Sequence, residues 1–248
     1  MKKLTLIIIS LFLLFSARAQ LFNIAGFGVG YLYLGPKLGG NLATSTIDVG
    51  SGNDKVFNLG YQFGAVAKLG ITNKLSIQPE LLYTSKGYGY DNSGAKTREN
   101  YKYIGLPVIA KYAFLAISNI QIYGSGGFYT DVLTGITSET TFVGTDQGET
   151  IKITDFSPYR RVDFGFDVGV GANIPFKNGD ELTIDLAYMQ GVVNVEKNST
   201  STSSKNTAFQ ISAIYLVDLT RFIHFKGKSS DNDAYEEGNT PVNGSKVE

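Results

Sequence analysis

Few side chains in this sequence could carry out chemistry. Its 248 residues include a single His, His224, and no Cys, so a thiol nucleophile and a disulfide are excluded. Asp163, Asp167 and Asp185 lie on the polar faces of alternating segments, where a carboxyl group could act as a general acid. His224 has no partnered hydroxyl or carboxylate in the pattern. The sequence therefore predicts that the protein is not an enzyme.

Metal and nucleotide motifs are also incomplete. The acidic segment 146–149 lacks the ligand spacing of a cation-binding loop. Gly26, Gly28 and Gly30 alternate without the later glycine and the helix of a dinucleotide site. We therefore expect no cofactor. The 22 Lys and Arg residues balance 22 Asp and Glu residues, so net charge indicates no nucleic-acid partner.

The N-terminus is typical of a secretory signal peptide. Lys2 and Lys3 precede an apolar run over residues 4–15, and Ala17-Arg18-Ala19 follows as a cleavage site. The apolar run is shorter than a membrane-spanning helix. We expect cleavage after Ala19, a folded domain over residues 20–225, and a disordered polar tail over 226–248, whose composition cannot bury a core.

The elements that would position the candidate residues are strands, because apolar and polar side chains alternate with a period of two. From Arg161 to Ile174, every even-numbered residue is apolar and no odd-numbered residue has an apolar side chain. Asn58–Ile71 repeats this pattern. Six weaker segments bring the total to eight: Lys37–Thr44, Leu75–Thr84, Tyr101–Phe114, Ile120–Asp131, Leu182–Tyr188 and Ala208–Asp218.

The length of these segments and their connections favour a membrane barrel. Several segments reach 11 to 14 residues, enough for a tilted strand to cross a bilayer. Short links alternate with long polar links over 45–55, 86–100, 132–160 and 190–206, as in outer-membrane barrels. A soluble sandwich or lipocalin-like barrel would instead turn the apolar face inward. The nearly unbroken apolar faces favour an all-β, eight-stranded antiparallel up-and-down transmembrane β-barrel.

This orientation predicts which side chains line the lumen and which lie at the membrane interface. The predicted lumen residues are Lys37, Asn41, Lys68, Glu80, Lys111, Arg161, Asp163, Asp167 and Asp185. The predicted interface aromatics are Tyr83, Tyr101, Tyr103, Tyr188, Phe222 and Phe225. Because proline cannot donate to the ladder, we also expect local bulges at Pro79 and Pro107.

Three motifs carry a family resemblance: Gln78–Gly87, Tyr103–Tyr112 and Asp163–Gly171. With them, residues 37–225 resemble the small, porin-like outer-membrane β-barrels of Bacteroidetes. The resemblance implies an eight-stranded barrel in the outer membrane of a Gram-negative cell. It also implies that outer-membrane lipid and the barrel-insertion machinery are partners. Such barrels commonly end on a terminal aromatic, whereas here the tail follows Phe225.

Three classes of function remain open at this stage. The first is a non-enzymatic barrel, either structural and loop-presenting or a narrow solute pathway with a side-chain-filled lumen. The second is an accessory of type IX secretion, in which the tail would bind a periplasmic or secretion-system protein. The third is a lipid-modifying hydrolase, for which His224 is the candidate base.

Overall fold

The computed structural model describes residues 23–24, 27–46, 50, 52–144, 148–197 and 204–222. The predicted signal peptide, His224, Phe225 and the predicted tail lie outside these residues. The strands are β1 (Asn23–Ile24), β2 (Phe27–Gly28), β3 (Tyr31–Ser45), β4 (Asp54–Val56), β5 (Asn58–Gly70), β6 (Leu75–Asp91), β7 (Ala95–Gly105), β8 (Val108–Ile117), β9 (Ile120–Phe142), β10 (Gly148–Ile153), β11 (Val162–Pro175), β12 (Glu181–Gly191) and β13 (Asn206–Asp218), followed by a short 3₁₀ helix, Thr220–Phe222.

The long strands form a closed antiparallel ring. Going round it, the order is β3, β5, β6, then β7 and β8 in one shared position, β9, β11, β12 and β13. The last strand pairs with the first, for example at Ala208 and Ala43, so the ring has no free edge. These eight positions confirm the predicted fold class and strand count.

Apolar side chains point out of the ring. On β11, for example, Val162, Val168 and Val170 are about half exposed, while the intervening Asp163 is buried. Leucine and phenylalanine side chains form the same outward surface on β3, β5, β8 and β13. An exposed apolar surface of this extent is typical of a wall that faces lipid. No helix among the described residues is long and apolar enough to cross a membrane.

The two prolines interrupt the ladder without shifting it. Pro79 and Val108 occupy paired positions on β6 and β8, and the register is the same on both sides of Pro107. The register shifts instead between Lys102 and Tyr103 and between Ala113 and Leu115, in both cases against β9. The predicted bulges at the prolines are therefore wrong: each missing donor costs one ladder bond without inserting a residue.

Two segments predicted as long polar links are largely strand. Over 86–100, β6 continues to Asp91 and β7 begins at Ala95; over 132–160, β9 continues to Phe142 and pairs with β10. We call the end of the ring opposite the short turns its upper end. The parts of β6, β7 and β9 that continue beyond the ring at this end, with β4 and β10 at the two edges, form what we call the extended sheet. At 23 residues, β9 is about twice as long as a bilayer crossing requires.

Candidate functional site

The interior of the ring contains charged side chains in pairs. Four lysines are buried there, each beside a carboxylate from a strand that is not its neighbour. The pairs are Lys37 with Glu80 at 2.8 Å, Lys68 with Glu181 at 2.6 Å, Lys111 with Asp185 at 3.2 Å, and Lys86 with Asp131. Because non-neighbouring strands contribute the partners, each pair spans at least one intervening strand inside the ring. This pairing offsets the cost of burying the charges.

Lys86 is the most connected of these cations. Its Nζ lies 3.8 Å from Asp163 Oδ2, in addition to its pair with Asp131. The same amine lies 4.2 Å from the ring centre of Tyr129 and 5.2 Å from that of Tyr103, within the range of a cation–π contact. Side chains from β6, β7, β9 and β11 thus converge on one amine and block the axis of the ring.

The space left inside the ring is small. A cavity of about 40 Å³ lies between the ion pairs, and Asp167, Gln62 and Gln210 line it together with the charged residues. Asp167 is half-buried and has no ion pair with a described residue, and the buried Gln62 Nε2 has no hydrogen-bond partner in the described part of the chain. Such a cavity has room for a few water molecules, and water there would satisfy both groups.

Two loops cover the upper end of the interior. We call residues 154–161 and 192–197 the lid, because backbone hydrogen bonds join them: Arg160 N donates to Val195 O at 2.7 Å, and Lys197 N to Pro158 O at 2.8 Å. The lid packs on a buried apolar group, the upper cluster, whose members are Tyr88, Tyr101, Tyr103, Leu133, Ile136 and Val195. The upper end of the ring is therefore closed by apolar packing.

Carboxylates accompany the aromatic rings under the lid. Tyr101 Oη donates to Glu99 Oε2 at 2.7 Å, and Glu196 of the lid forms a backbone bridge with Tyr159. Burial, and then the nearby Glu99 carboxylate, raises the pKa of Glu196. The lid thus brings a carboxyl group into surroundings that favour its neutral form.

The structure places the predicted lumen residues as follows. Lys37, Asn41, Lys68, Glu80, Lys111, Asp163 and Asp185 are buried inside the ring, and Asp167 is half-buried. Arg161 is the exception, because it precedes β11, is exposed, and holds its guanidinium 4.4 Å from the ring centre of Phe156. The alternation predicted for Arg161 does not apply, because the strand begins only at Val162.

Several interior residues were not predicted from the sequence. Lys86 was assigned to a long polar link, although it shares the even numbering of Glu80 along one strand. Glu181 lies one residue before the predicted segment Leu182–Tyr188. Asp131 ends a predicted segment but has no predicted partner. Asn206 donates to Asp163 Oδ2 at 2.9 Å and to Tyr103 Oη at 3.2 Å. Extending the alternation of each strand by a few residues would have found Lys86.

The predicted interface aromatics divide into two groups. Tyr83 and Tyr188 face outward, beside Phe63 and Phe209 respectively, and Phe222 is 66% exposed in the short helix. Tyr101 and Tyr103 are each only 1% exposed and lie inside the ring, so their assignment to the interface is wrong. Both are odd-numbered, like Lys111, and the unshifted register across Pro107 keeps them on the same face.

Within the described residues, no three His, Cys, Asp or Glu side chains are grouped so as to hold a metal ion.

The residues and strands described above match a known family. The model of the outer membrane protein beta-barrel domain matches residues 17–197. The chain belongs to the outer membrane protein beta-barrel domain family. No curated protein sequence matches it.

Solved barrels resemble this member of the outer membrane protein beta-barrel family at low identity. Neisserial surface protein A is 16% identical, with 75% of this chain and 97% of that chain covered and a TM-score of 0.43. Ail of Yersinia pestis is 14% identical, with coverage of 75% and 98% and a TM-score of 0.38. OprG of Pseudomonas aeruginosa is 12% identical, with coverage of 77% and 94% and a TM-score of 0.38.

Proposed function

We propose that this protein is a non-enzymatic outer-membrane barrel whose closed ring anchors the extended sheet at the cell surface. The observation that carries this proposal is the filled interior. Buried ion pairs lie inside the ring, the lid covers its upper end, and the cavity among the ion pairs measures about 40 Å³. Eight strands enclose just enough space for side chains to fill. A closed ring suits an anchor better than a solute pathway.

The extended sheet supports the surface-presenting part of the proposal. In outer-membrane barrels the long connections face outward and the short turns face the periplasm. Here the short turns over 71–74, 118–119 and 176–180 lie at one end of the ring, and the extended sheet and the lid lie at the other. We assign the extended sheet to the cell exterior, in the outer membrane of a Gram-negative, Bacteroidetes-type cell.

The absence of catalysis in this proposal is supported by the state of three interior carboxylates, those of Asp163, Glu181 and Asp185. Asp185 and Glu181 are each paired with a lysine, and Asp163 accepts a hydrogen bond from Asn206. A general acid or base needs a reacting group within hydrogen-bond reach. These carboxylates are buried and engaged instead with other side chains of the ring.

Planar-bilayer recording of the purified full chain tests the closed ring. We expect no stepwise conductance from the wild-type protein. A Lys86→Ser/Tyr129→Ala variant, which removes two side chains that block the axis, should conduct. Tyr112→Ala, which shortens an outward side chain that is 53% exposed, is the matched control and should stay silent. Stepwise conductance by the wild-type protein would overturn the proposal in favour of a narrow solute pathway.

A further inference from the structure

Below the extended sheet, the lipid-facing surface of the ring ends at one row of outward side chains that are in register on neighbouring strands. Tyr83, Ile104, Val132 and Val162 are in register across β6, β7, β9 and β11. The last three are between 37% and 48% exposed, so this row is apolar and faces outward. In the row above it, Ser85 is buried, whereas Lys102 and Gly135 are partly exposed. On β7 and β9 the outward surface therefore changes from apolar to polar between these two rows, which marks the upper limit of the lipid-facing surface there.

Cations begin immediately above that limit. Lys102 lies two residues from Ile104 on the same face of β7, followed by Arg98 and Lys96 along the strand. Lys152 on β10 joins the same face one row above Lys102, since it is in register with Thr137 of β9. Two strand spacings and an offset of one row place the Cα atoms of Lys102 and Lys152 about 12 Å apart.

The side chain of Lys102 packs against β9. A Cβ built on Gly135 would lie 3.7 Å from Lys102 Cδ and 3.8 Å from Lys102 Cβ, so the lysine stem lies beside this glycine. A long lysine stem that packs on the wall leaves its ammonium free to reach polar groups at the membrane surface.

The negative charges on this face leave most of these cations unpaired. Arg98 pairs with Asp91 at 2.5 Å, and Glu139 is exposed and in register with Arg98. Lys96, Lys102 and Lys152 form no ion pair with any described residue. Asp54 of β4 is exposed and in register with Asp91, so it shares this face. The face therefore has four cations and three carboxylates, and Lys102 is the cation without an ion pair that lies nearest the lipid boundary.

We infer that this basic face, Lys96, Arg98, Lys102 and Lys152, binds the phosphorylated head groups of the surrounding outer-leaflet lipid. The inference rests on the proposed function, because it requires the extended sheet to lie outside the cell. The positive charge of this face is complementary to the negative charge of a phosphate group. Because Lys102 lies one row above the apolar surface, we expect that phosphate to belong to a membrane lipid. Each lysine near an anionic membrane surface contributes roughly fivefold in affinity.

Binding of fluorescent lipid A to the detergent-solubilised full chain tests this assignment. Lys102→Gln/Lys152→Gln should weaken binding about 25-fold, from the fivefold contribution of each lysine. Lys102→Arg/Lys152→Arg should retain binding. Lys197→Gln, which removes the same charge from the lid, is the matched control. Unchanged binding by Lys102→Gln/Lys152→Gln would overturn the inference, as would inorganic pyrophosphate displacing lipid A at equal concentration, because the site would then bind free phosphate.

A labelling experiment separates failure of this inference from failure of the proposed function. The chain has no cysteine, so Thr150→Cys and Lys177→Cys each introduce a single thiol. A membrane-impermeant maleimide should label Thr150→Cys on intact cells and Lys177→Cys only after lysis. The reverse pattern overturns both the orientation and the lipid assignment. The expected pattern together with unchanged lipid A binding by Lys102→Gln/Lys152→Gln overturns the lipid assignment alone.

Discussion

The interior of the ring is filled in different ways at its two ends. In the lower part, lysines and carboxylates from strands that are not neighbours pair inside the ring, as Lys37 of β3 and Glu80 of β6 do at 2.8 Å. Under the lid, aromatic and aliphatic side chains pack together, and Tyr88 and Tyr101 stack with their ring centres 6.3 Å apart. Tyr103 belongs to both levels, since it packs in the upper cluster and lies 5.2 Å from Lys86 Nζ.

The two levels are filled with different kinds of side chain because their walls face different surroundings. The lower walls have their apolar side chains on the outside, so their inward positions are polar and need partners once water is excluded. In the proposed orientation, the extended sheet lies beyond the lipid-facing surface, and its inner face can bury apolar groups against the lid as in a soluble protein. The lower level should therefore be sensitive to loss of a charge partner, and the upper level to loss of packing and single hydrogen bonds.

The largest expected effect is at Lys86. Lys86→Met should lower the free energy of unfolding by about 3–5 kcal/mol, because Asp131 and Asp163 would remain buried without their cation. Urea unfolding in lipid vesicles measures the change. Lys86→Met/Asp131→Asn/Asp163→Asn, which removes the stranded charges as well, should recover most of the loss. A loss of less than about 1 kcal/mol for Lys86→Met, the range of a surface pair, would contradict a charge-sensitive lower level.

A smaller effect is expected at the upper level from Tyr101→Phe. This change keeps the ring in the upper cluster and removes the hydroxyl that donates to Glu99 at 2.7 Å. The free energy of unfolding should fall by about 1.5 kcal/mol, the lower range for a hydrogen bond to a charged group. Tyr112→Phe, an outward tyrosine that is 53% exposed, is the control and should change little. Equal effects of the two variants would show that the hydroxyl of Tyr101 contributes nothing specific.

Sequence reasoning was accurate where the alternation was long and uninterrupted. β11 follows the predicted segment to within one residue at each end, and its apolar face is the outward one. Lys37, Lys68 and Glu80 are inside because their strands alternate without a shift. The ring closure follows from the same pattern, since strands that cross a membrane satisfy every backbone group only when the sheet closes on itself.

The upper part of the molecule could not be predicted in the same way. Residues 86–100 are rich in polar and glycine residues, which indicate a loop when no lipid-facing side is present to enforce alternation. The strand there is held by pairing between β6 and β7, a tertiary effect that local composition does not encode. The pairing of Lys86 with Asp131 and Asp163 joins positions 45 or more residues apart in the sequence, so only the closed ring reveals it.

The smallest expected effect concerns pH and the lid. Burial and the neighbouring Glu99 raise the pKa of Glu196 above its ordinary value of 4.5, so the folded lid favours the neutral carboxyl group. The stability from this group is present in full below that ordinary value and is lost as pH rises through the raised pKa. Glu196→Gln should therefore be more stable than the wild type at neutral pH, and the difference should vanish toward pH values below the ordinary one.

Urea unfolding at a series of pH values measures this difference between the two proteins. Glu139→Gln, on the exposed outer face of the extended sheet, is the matched control and should show no comparable pH-dependent gain. A Glu196→Gln variant that matches the wild type at every pH would mean that the lid does not hold Glu196 in place as the upper cluster holds Tyr101. Closure of the upper end would then depend on apolar packing alone.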